Sequence, residues 1–179
     1  MRGIVAIAGL TLVSLHAATL EYLSLNDMAK KSTSIVRGRI QSCAGEFRGS
    51  VIFTHCKVAV TEQWKGVSQS VVDVATPGGT ARGMAQNFSG SPKLAIGEEY
   101  VLFLWTGKSG MTQVIGLSQG VFDLKADTKG QTMAQRAATS ERMLDAAGNE
   151  VTDSGVEMRV RDLKSRVTRA LNSEVSGQQ

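Results

Sequence analysis

The sequence predicts a mainly β protein, a small antiparallel barrel with one α-helix at its C-terminal end. The first reason is the stretch from Ser34 to Gly66, where apolar and polar residues alternate as in half-buried strands. The second is a series of shorter apolar runs, separated by glycines, between residues 70 and 124. The third is an apolar stripe at helical spacing within residues 153–173.

Residues 1–17 read as a secretory signal peptide. Arg2 gives a positive start, the run from Ile4 to Leu15 carries no charge, and small residues follow at Ala17 and Ala18. The run is short for a bilayer span, so we expect no stable membrane anchor. The sequence therefore predicts a secreted or periplasmic protein.

The remaining chain is long enough for one well-buried core. It carries 20 basic and 16 acidic residues over its full length, and loss of Arg2 with the signal leaves a net charge of +3. This mild, dispersed positive charge predicts no nucleic-acid partner.

Residues 18–33 are expected to form an N-terminal lead and a short helix. Asn26 is the expected N-cap of that helix, and Met28 and Ala29 are expected to face the core.

The long hairpin has a register that follows from its turn. Gly49 and Ser50 suit a two-residue type II′ turn, in which the first central residue takes a positive φ. Counting back from this turn places Cys43 opposite Cys56 as a non-hydrogen-bonded pair, with Cα atoms about 4.5 Å apart. A disulfide accepts this separation, and two cysteines in an exported protein usually pair. Two free or metal-binding thiols are the alternative, although no further Cys/His cluster supports a metal.

The same register fails nearer the start of the first strand, because it would mix polar and apolar residues on one face. Slipping the pairing by one residue sets Ile40 against Val58 and Gly38 against Val60. We therefore expect a β-bulge between Gln41 and Cys43, which would bend the strand as closure of a small barrel requires. The barrel core is predicted to span residues 34–127.

Four more strands are expected in this core. They are Ser70–Thr76, Glu99–Trp105, Met111–Leu117 and Val121–Leu124.

Residues 79–95 show no periodicity and are predicted to be a long loop. Long loops of compact domains often carry function, so this one is the candidate binding loop. A flexible connection is the alternative. The candidate contact residues are Gly78, Gly79, Arg82, Met84 and Phe88.

Residues 128–152 are expected to be a polar, partly helical connection, with helix-capable sequence between Met133 and Ala147. The C-terminal helix is predicted over residues 153–173, and Ser154 and Glu157 have the spacing of a capping box. Residues 174–179 are predicted to be a disordered tail. The expected apolar stripe of the helix consists of Val156, Val160, Leu163, Val167, Ala170 and Leu171. A row of basic residues, interpreted as a solvated face with anion or membrane contact as the alternative, consists of Arg159, Arg161, Lys164, Arg166 and Arg169.

No catalytic constellation stands out in the sequence. His55 is the one histidine beyond the predicted signal, and it lies beside a cysteine expected to be oxidised. Neither a nucleophile motif nor a metal-ligand spacing accompanies it. The sequence therefore predicts a protein that is not an enzyme and that has no metal or other cofactor.

Three short motifs resemble the netrin-like domain of tissue inhibitors of metalloproteinases. They are Gly38 with Ile40, Lys65-Gly66, and Gly97 with Tyr100-Val101. The resemblance covers about Ser34 to Leu124 and implies an OB-like barrel. Those inhibitors chelate zinc through an N-terminal cysteine, which the expected mature start near Ala18 lacks. Uncharacterised secreted bacterial domains fit the same motifs.

We therefore predict an exported, non-catalytic binding domain with an unknown protein partner, for which a protease is one candidate. The alternatives are a secreted protease inhibitor of netrin-like type and an uncharacterised hydrolase that depends on His55.

Overall fold

The computed structural model describes residues 19–175. The predicted signal peptide and the last four residues of the predicted tail lie outside this range. Within it the protein is mainly β with a C-terminal helix, as the sequence predicts. The helices are α1 (Leu25–Lys31) and α2 (Val160–Val175), and a 3-10 helix spans Leu117–Gly120. The strands are β1 (Thr19–Glu21), β2 (Ser34–Arg48), β3 (Val51–Lys65), β4 (Val71–Pro77), β5 (Gly79–Ala81), β6 (Met84–Gln86), β7 (Glu99–Thr106), β8 (Thr112–Val114), β9 (Val121–Ala126), β10 (Thr132–Arg136), β11 (Arg142–Leu144), β12 (Glu150–Val151) and β13 (Val156–Arg159).

The β2–β3 hairpin has the predicted turn and register. Gly49 has φ +62°, as the first central position of a type II′ turn requires. Arg48 lies opposite Val51 and Cys43 opposite Cys56. The two cysteines form a disulfide with their Cα atoms 4.1 Å apart, which confirms the predicted bridge.

The predicted bulge is also present, since the pairing shifts between Ile40 and Ser42. Ile40 then pairs with Val58 and Gly38 with Val60, as expected. A side chain at Gly38 would collide with the carbonyl of Ala59, so the bend needs glycine there. Two further shifts, between Ile35 and Val36 and between Arg37 and Gly38, were not predicted.

The main sheet has eight strands in the order β13-β10-β9-β7-β2-β3-β4-β8. Strand β8 pairs in parallel with β4 and antiparallel with β7. The pairings therefore run from β7 through β2, β3, β4 and β8 and return to β7. Two small sheets complete the fold, with strand orders β1-β11-β12 and β5-β6.

The core has two parts, on opposite sides of the main sheet. One part lies among β2, β3, β4, β7 and β8 and includes Val36, Ile40, Val58, Val74, Leu102 and Leu104. The other joins the far face of the sheet to the two helices and includes Met28, Ala29, Phe103, Phe122, Leu163 and Val167. The expected core positions Met28 and Ala29 of α1 are therefore confirmed.

A charged cluster on the surface ties α2 to the sheet. Glu62 on β3 accepts hydrogen bonds from Arg37 (2.9 Å), Lys164 (2.7 Å) and the Trp64 indole (3.1 Å). The hydrogen bond from Lys164 is the largest cause that lowers the pKa of Glu62, from 4.5 to about 2. Arg37 also bonds Glu99, so the cluster spans four elements, β2, β3, β7 and α2.

Both predicted helix starts differ from the structure. Helix α1 begins at Leu25, and its N-cap is Ser24, whose hydroxyl accepts from the Asp27 amide at 3.1 Å; Asn26 is already inside the helix. The capping box at Ser154 is wrong, because Val156–Arg159 forms β13 and pairs with β10. Helix α2 starts only at Val160 and ends at Val175, two residues into the predicted tail.

The partly helical connection at residues 128–152 is also wrong, since it contains β10, β11 and β12. Strand β10 lies between β9 and β13, and these tertiary pairings outweigh its helix-compatible composition. A buried bidentate ion pair joins the two ends of the segment that connects β10 to β13. Arg136 donates to both oxygens of Asp153, at 2.6 and 2.8 Å.

Asp153 also accepts from the backbone amides of Thr139 and Gly155. Burial raises the pKa of Asp153, but its hydrogen bonds from Arg136 and these amides outweigh burial and hold that pKa below the usual value.

The loop predicted at residues 79–95 is partly structured, because it contains the β5–β6 hairpin. Its turn has φ +50° at Arg82 and +76° at Gly83. The predicted fifth strand, Met111–Leu117, is shorter than expected: β8 ends at Val114 and the 3-10 helix takes over at Leu117.

Candidate functional site

A cleft opens where the parallel strands β4 and β8 diverge. These strands share one register pair, Ala75 with Gln113, and then separate. The space between them has a volume of about 550 Å³. We call it the apolar cleft, and its main apolar lining residues are Leu20, Leu23, Pro77, Trp105, Ile115 and Leu117.

The β4 wall of the cleft ends in proline. Pro77 has no N–H, and its carbonyl accepts a hydrogen bond from the Ser91 hydroxyl at 2.6 Å. Pro92, which also lacks an N–H, lies in the same wall. A ligand at this wall therefore contacts side-chain surface. Neither proline can donate a main-chain hydrogen bond to an added β-strand.

The opposite wall depends on two consecutive left-handed residues. Gly116 has φ +62° and Leu117 has φ +55°, and together they turn the chain from β8 into the 3-10 helix. A branched residue in this region costs about 1 kcal/mol or more, and such strain is concentrated at binding sites. Here the turn places the Leu117 side chain in the wall of the cleft.

Gln119 holds the floor of the cleft together. Its side chain is buried, and its oxygen accepts from the Leu23 amide at 2.9 Å. Its nitrogen donates to the carbonyls of Glu21 (2.9 Å) and Gly116 (3.3 Å). The segment after β1 is thereby fixed against the 3-10 helix with its polar groups satisfied.

Aromatic and charged groups lie at the mouth of the cleft. The Trp105 side chain lines it while Trp105 remains 46% exposed. Glu21 and Lys31 also line it and pair with each other at 2.6 Å. A large apolar group is thus open to solvent next to a neutralised pair of charges.

A second cavity, of about 270 Å³, adjoins the first. The two share Thr76, Pro77 and Pro92 as lining residues. We call this smaller space the adjoining cavity. Lys93 is the one charged residue that lines it.

The structure brings three of the five predicted contact residues together in the adjoining cavity: Gly78, Gly79 and Phe88. Arg82 and Met84 lie instead at the β5–β6 hairpin. The Arg82 guanidinium stands 5.8 Å from the centre of the Phe47 ring. Met84 is 56% exposed.

The β5–β6 hairpin is held against the tip of the β2–β3 hairpin. The Gln86 side chain accepts from the Ile52 amide at 2.7 Å and donates to the Ser50 carbonyl at 2.9 Å. Gly45 packs so closely on the Thr80 carbonyl that any side chain would collide with it. The hairpin is therefore anchored to the main sheet.

His55 does not line the cleft; it lies on the outer face of β3, opposite the lining residue Ala75 of β4. Its Nδ1 is 2.9 Å from Asp73, and Lys57 donates to the other oxygen of Asp73 at 2.6 Å. Burial raises the pKa of Asp73, but these hydrogen bonds outweigh it, so the net shift is downward. Within residues 19–175, no group of three His, Cys, Asp or Glu side chains could hold a metal ion.

Sequence reasoning missed the apolar cleft. Trp105 carried the one available signal, as a large aromatic residue at the end of the most apolar strand. The sequence does not predict that Leu117 lines the cleft, because no pattern around this residue indicates a positive φ.

Comparison of the chain with protein-family models, with curated proteins and with solved structures finds no match. Across residues 19–175, no helix combines the length and the apolar character needed to span a membrane. The disulfide indicates a non-cytosolic compartment, because cytosolic thiols are kept reduced.

Proposed function

We propose that the protein is an exported, non-catalytic binding domain whose apolar cleft takes up the apolar part of a small ligand. The observation that carries this proposal is the open space between β4 and β8 with the exposed Trp105 at its mouth. Its volume of about 550 Å³ lies within the range of about 300 to 1,000 Å³ typical of small-molecule sites.

The chemistry of the lining supports binding over catalysis. Glu21 and Lys31 form an ion pair with each other. The Gln119 side chain is hydrogen-bonded to the Leu23 amide and the Glu21 carbonyl. His55, the residue on which the hydrolase hypothesis depends, is outside the lining of the cleft. Binding would come from burial of apolar surface, at about 25 cal/mol for each Å².

For the fold, we propose an OB-like barrel of netrin-like type. The support is the closed series of pairings β7-β2-β3-β4-β8-β7, with one parallel contact between β4 and β8. The bulge in β2 supplies the bend that such closure needs.

Export through a signal peptide at residues 1–17 is part of the same proposal. The disulfide supports it, since disulfides form and persist mainly in oxidising compartments. Mass spectrometry of the protein from its native host would test it by locating the mature N-terminus.

Binding can be tested with the fluorescent apolar probe N-phenyl-1-naphthylamine. We expect saturable binding by the wild-type protein and about tenfold weaker binding by Trp105→Ala, equivalent to about 1.4 kcal/mol. Leu20→Glu should abolish binding, because it places a charge in the apolar wall.

Val67→Glu is the matched control, since Val67 is 79% exposed and is not part of the lining. It should bind like the wild type. Equal binding by Leu20→Glu and Val67→Glu, with both variants folded, would contradict the proposed site.

A further inference from the structure

We infer that two copies of the protein associate through the open edge of β2, with their strands antiparallel and Phe47 on the twofold axis. In this arrangement Glu46 of each copy lies opposite Arg48 of the other copy. The surface is separate from the apolar cleft, so the inference goes beyond the proposed function and does not depend on it.

The distal part of β2 pairs with one strand only. Its pairing with β7 ends at Arg39, whereas its pairing with β3 continues to Arg48. Within residues 41–48 no residue is buried. The edge of β2 that faces away from β3 is therefore open along this segment.

The register of the hairpin determines which main-chain groups lie on the open edge. Arg48 and Val51 form the hydrogen-bonded pair next to the turn, and the pairing alternates from there. The N–H and C=O groups of Cys43, Gly45 and Phe47 therefore point away from β3. In the described part of the chain these groups have no hydrogen-bond partner. Such a row of free groups is a template for another strand.

The open edge carries little protection against strand addition. Between Ser42 and Arg48 there is neither a proline nor a lysine, the residues that commonly block an edge. The bulge that bends β2 lies before this segment, between Ile40 and Ser42. The segment itself pairs with β3 without interruption and presents a regular edge.

Charge on one face of the segment favours a second copy as the added strand. Glu46 and Arg48 are two residues apart, so their side chains lie on the same face of β2, and both are exposed. Within residues 19–175, neither side chain has an ion pair or a hydrogen bond. An antiparallel copy centred on Phe47 sets each Glu46 opposite an Arg48 in a non-hydrogen-bonded pair, where side chains approach most closely. Two attractive pairs thus form in one symmetric contact, as in the commonest type of homodimer.

Arg82 is a like charge that opposes this contact. It lies on the other face of β2, with its guanidinium 5.8 Å from the centre of the Phe47 ring. The two copies of Arg82 would therefore stand near the axis, although each is exposed and stays in water. Arg82→Gln removes this repulsion and should strengthen the association.

The experiment is sedimentation equilibrium of residues 18–179 from micromolar to millimolar concentration, because a contact between two short strand edges is small and gives a weak dimer. We expect the wild-type protein to dimerise. Glu46→Arg and Arg48→Glu should each weaken the dimer about tenfold or more, since each replaces two attractive pairs by two repulsive ones. The double variant Glu46→Arg/Arg48→Glu should recover wild-type association. An equimolar mixture of the two single variants should form a heterodimer.

Lys129→Glu is the control for the change of charge, because Lys129 is exposed in the turn between β9 and β10. It should associate like the wild type. Amide hydrogen exchange reads the main-chain pairing in the same samples. Exchange of the Phe47 amide should slow as the protein concentration rises, whereas the Cys43 amide lies beyond the paired segments and should not change.

Three outcomes would overturn the inference. A wild-type protein that stays monomeric would leave the edge to an extended segment of another protein. A dimer that neither single variant weakens would place the contact elsewhere on the surface. Slower exchange at Cys43 as well as at Phe47 would show a register that is not centred on Phe47. Binding of N-phenyl-1-naphthylamine should be the same in all these variants, so failure of the dimer and failure of the cleft are observed separately.

Discussion

Reduction of the Cys43–Cys56 disulfide should lower the free energy of unfolding by about 3 kcal/mol. The two cysteines are 13 residues apart in sequence, and closing a loop of this size removes about that much entropy from the unfolded chain at 25 °C. Reduction removes no side-chain heavy atom, so it perturbs the packing around the bridge less than truncation of either cysteine does. For a chain of this size, the loss corresponds to a fall in Tm of about 6 to 12 °C.

The assay is urea unfolding of the oxidised and the reduced protein, followed by tryptophan fluorescence. The Cys43→Ala/Cys56→Ala double variant should lose more than the reduced protein, because Cys56 is buried and its truncation leaves a small cavity. An unfolding free energy that does not change on reduction would refute the reasoning. It would mean that the hairpin remains closed in the unfolded state without its bridge.

Three further predictions concern stability. The pKa of Glu62 is lowered from 4.5 to about 2, so the stability it contributes is present above about pH 4.5 and is lost as the pH falls towards 2. About a third of the Glu62 side chain is exposed, so we expect acid unfolding curves to show a loss of about 1 kcal/mol in the free energy of unfolding. A Glu62→Gln variant with the same acid sensitivity as the wild type would contradict this prediction. Asp153→Asn leaves the buried Arg136 without its counter-charge and should cost about 3 kcal/mol or more in urea unfolding; a loss under about 1 kcal/mol would contradict the importance of this pair. Gly45→Ala forces a side chain against the Thr80 carbonyl and should cost about 1 to 3 kcal/mol, whereas unchanged stability would show that the β5–β6 hairpin packs more loosely than described.

The hairpin could be predicted in detail because its determinants are local. Gly49 fixes the turn, the turn fixes the register, and the register brings Cys43 to Cys56. The bulge followed from the failure of that register to keep apolar residues on one face. The two missed shifts lie on the β3 side, where Thr61 and Trp64 stand out of register, and nothing in the sequence of β2 indicates them.

The C-terminal third was predicted less well because its strands depend on distant partners. Thr132–Arg136 has helix-compatible residues, yet it becomes β10 between β9 and β13. Val156 belongs to the apolar stripe of the predicted helix, but the segment Val156–Arg159 pairs with β10 and is extended. The stripe itself was correct from Val160 onward, where Val160, Leu163, Val167 and Ala170 are buried.

The apolar cleft could not be predicted, because its lining comes from separate segments. Leu20, Pro77, Trp105 and Leu117 belong to different elements, which strand pairing and the hydrogen bonds of Gln119 bring together. The candidate loop lies next to the cleft in part, since its residue Phe88 lines the adjoining cavity. Binding by that loop and inhibition of a protease stay predictions, as does the netrin-like resemblance.

The measurement that tests the central claim most directly is a two-dimensional NMR titration of residues 18–179 of the protein with N-phenyl-1-naphthylamine. The claim that the apolar cleft is the ligand site predicts the largest shift changes at the Trp105 indole and at the Gly116 and Leu117 amides. Changes confined to the outer face around His55, or to the β5–β6 hairpin at Met84, with the Trp105 indole unmoved, would contradict it.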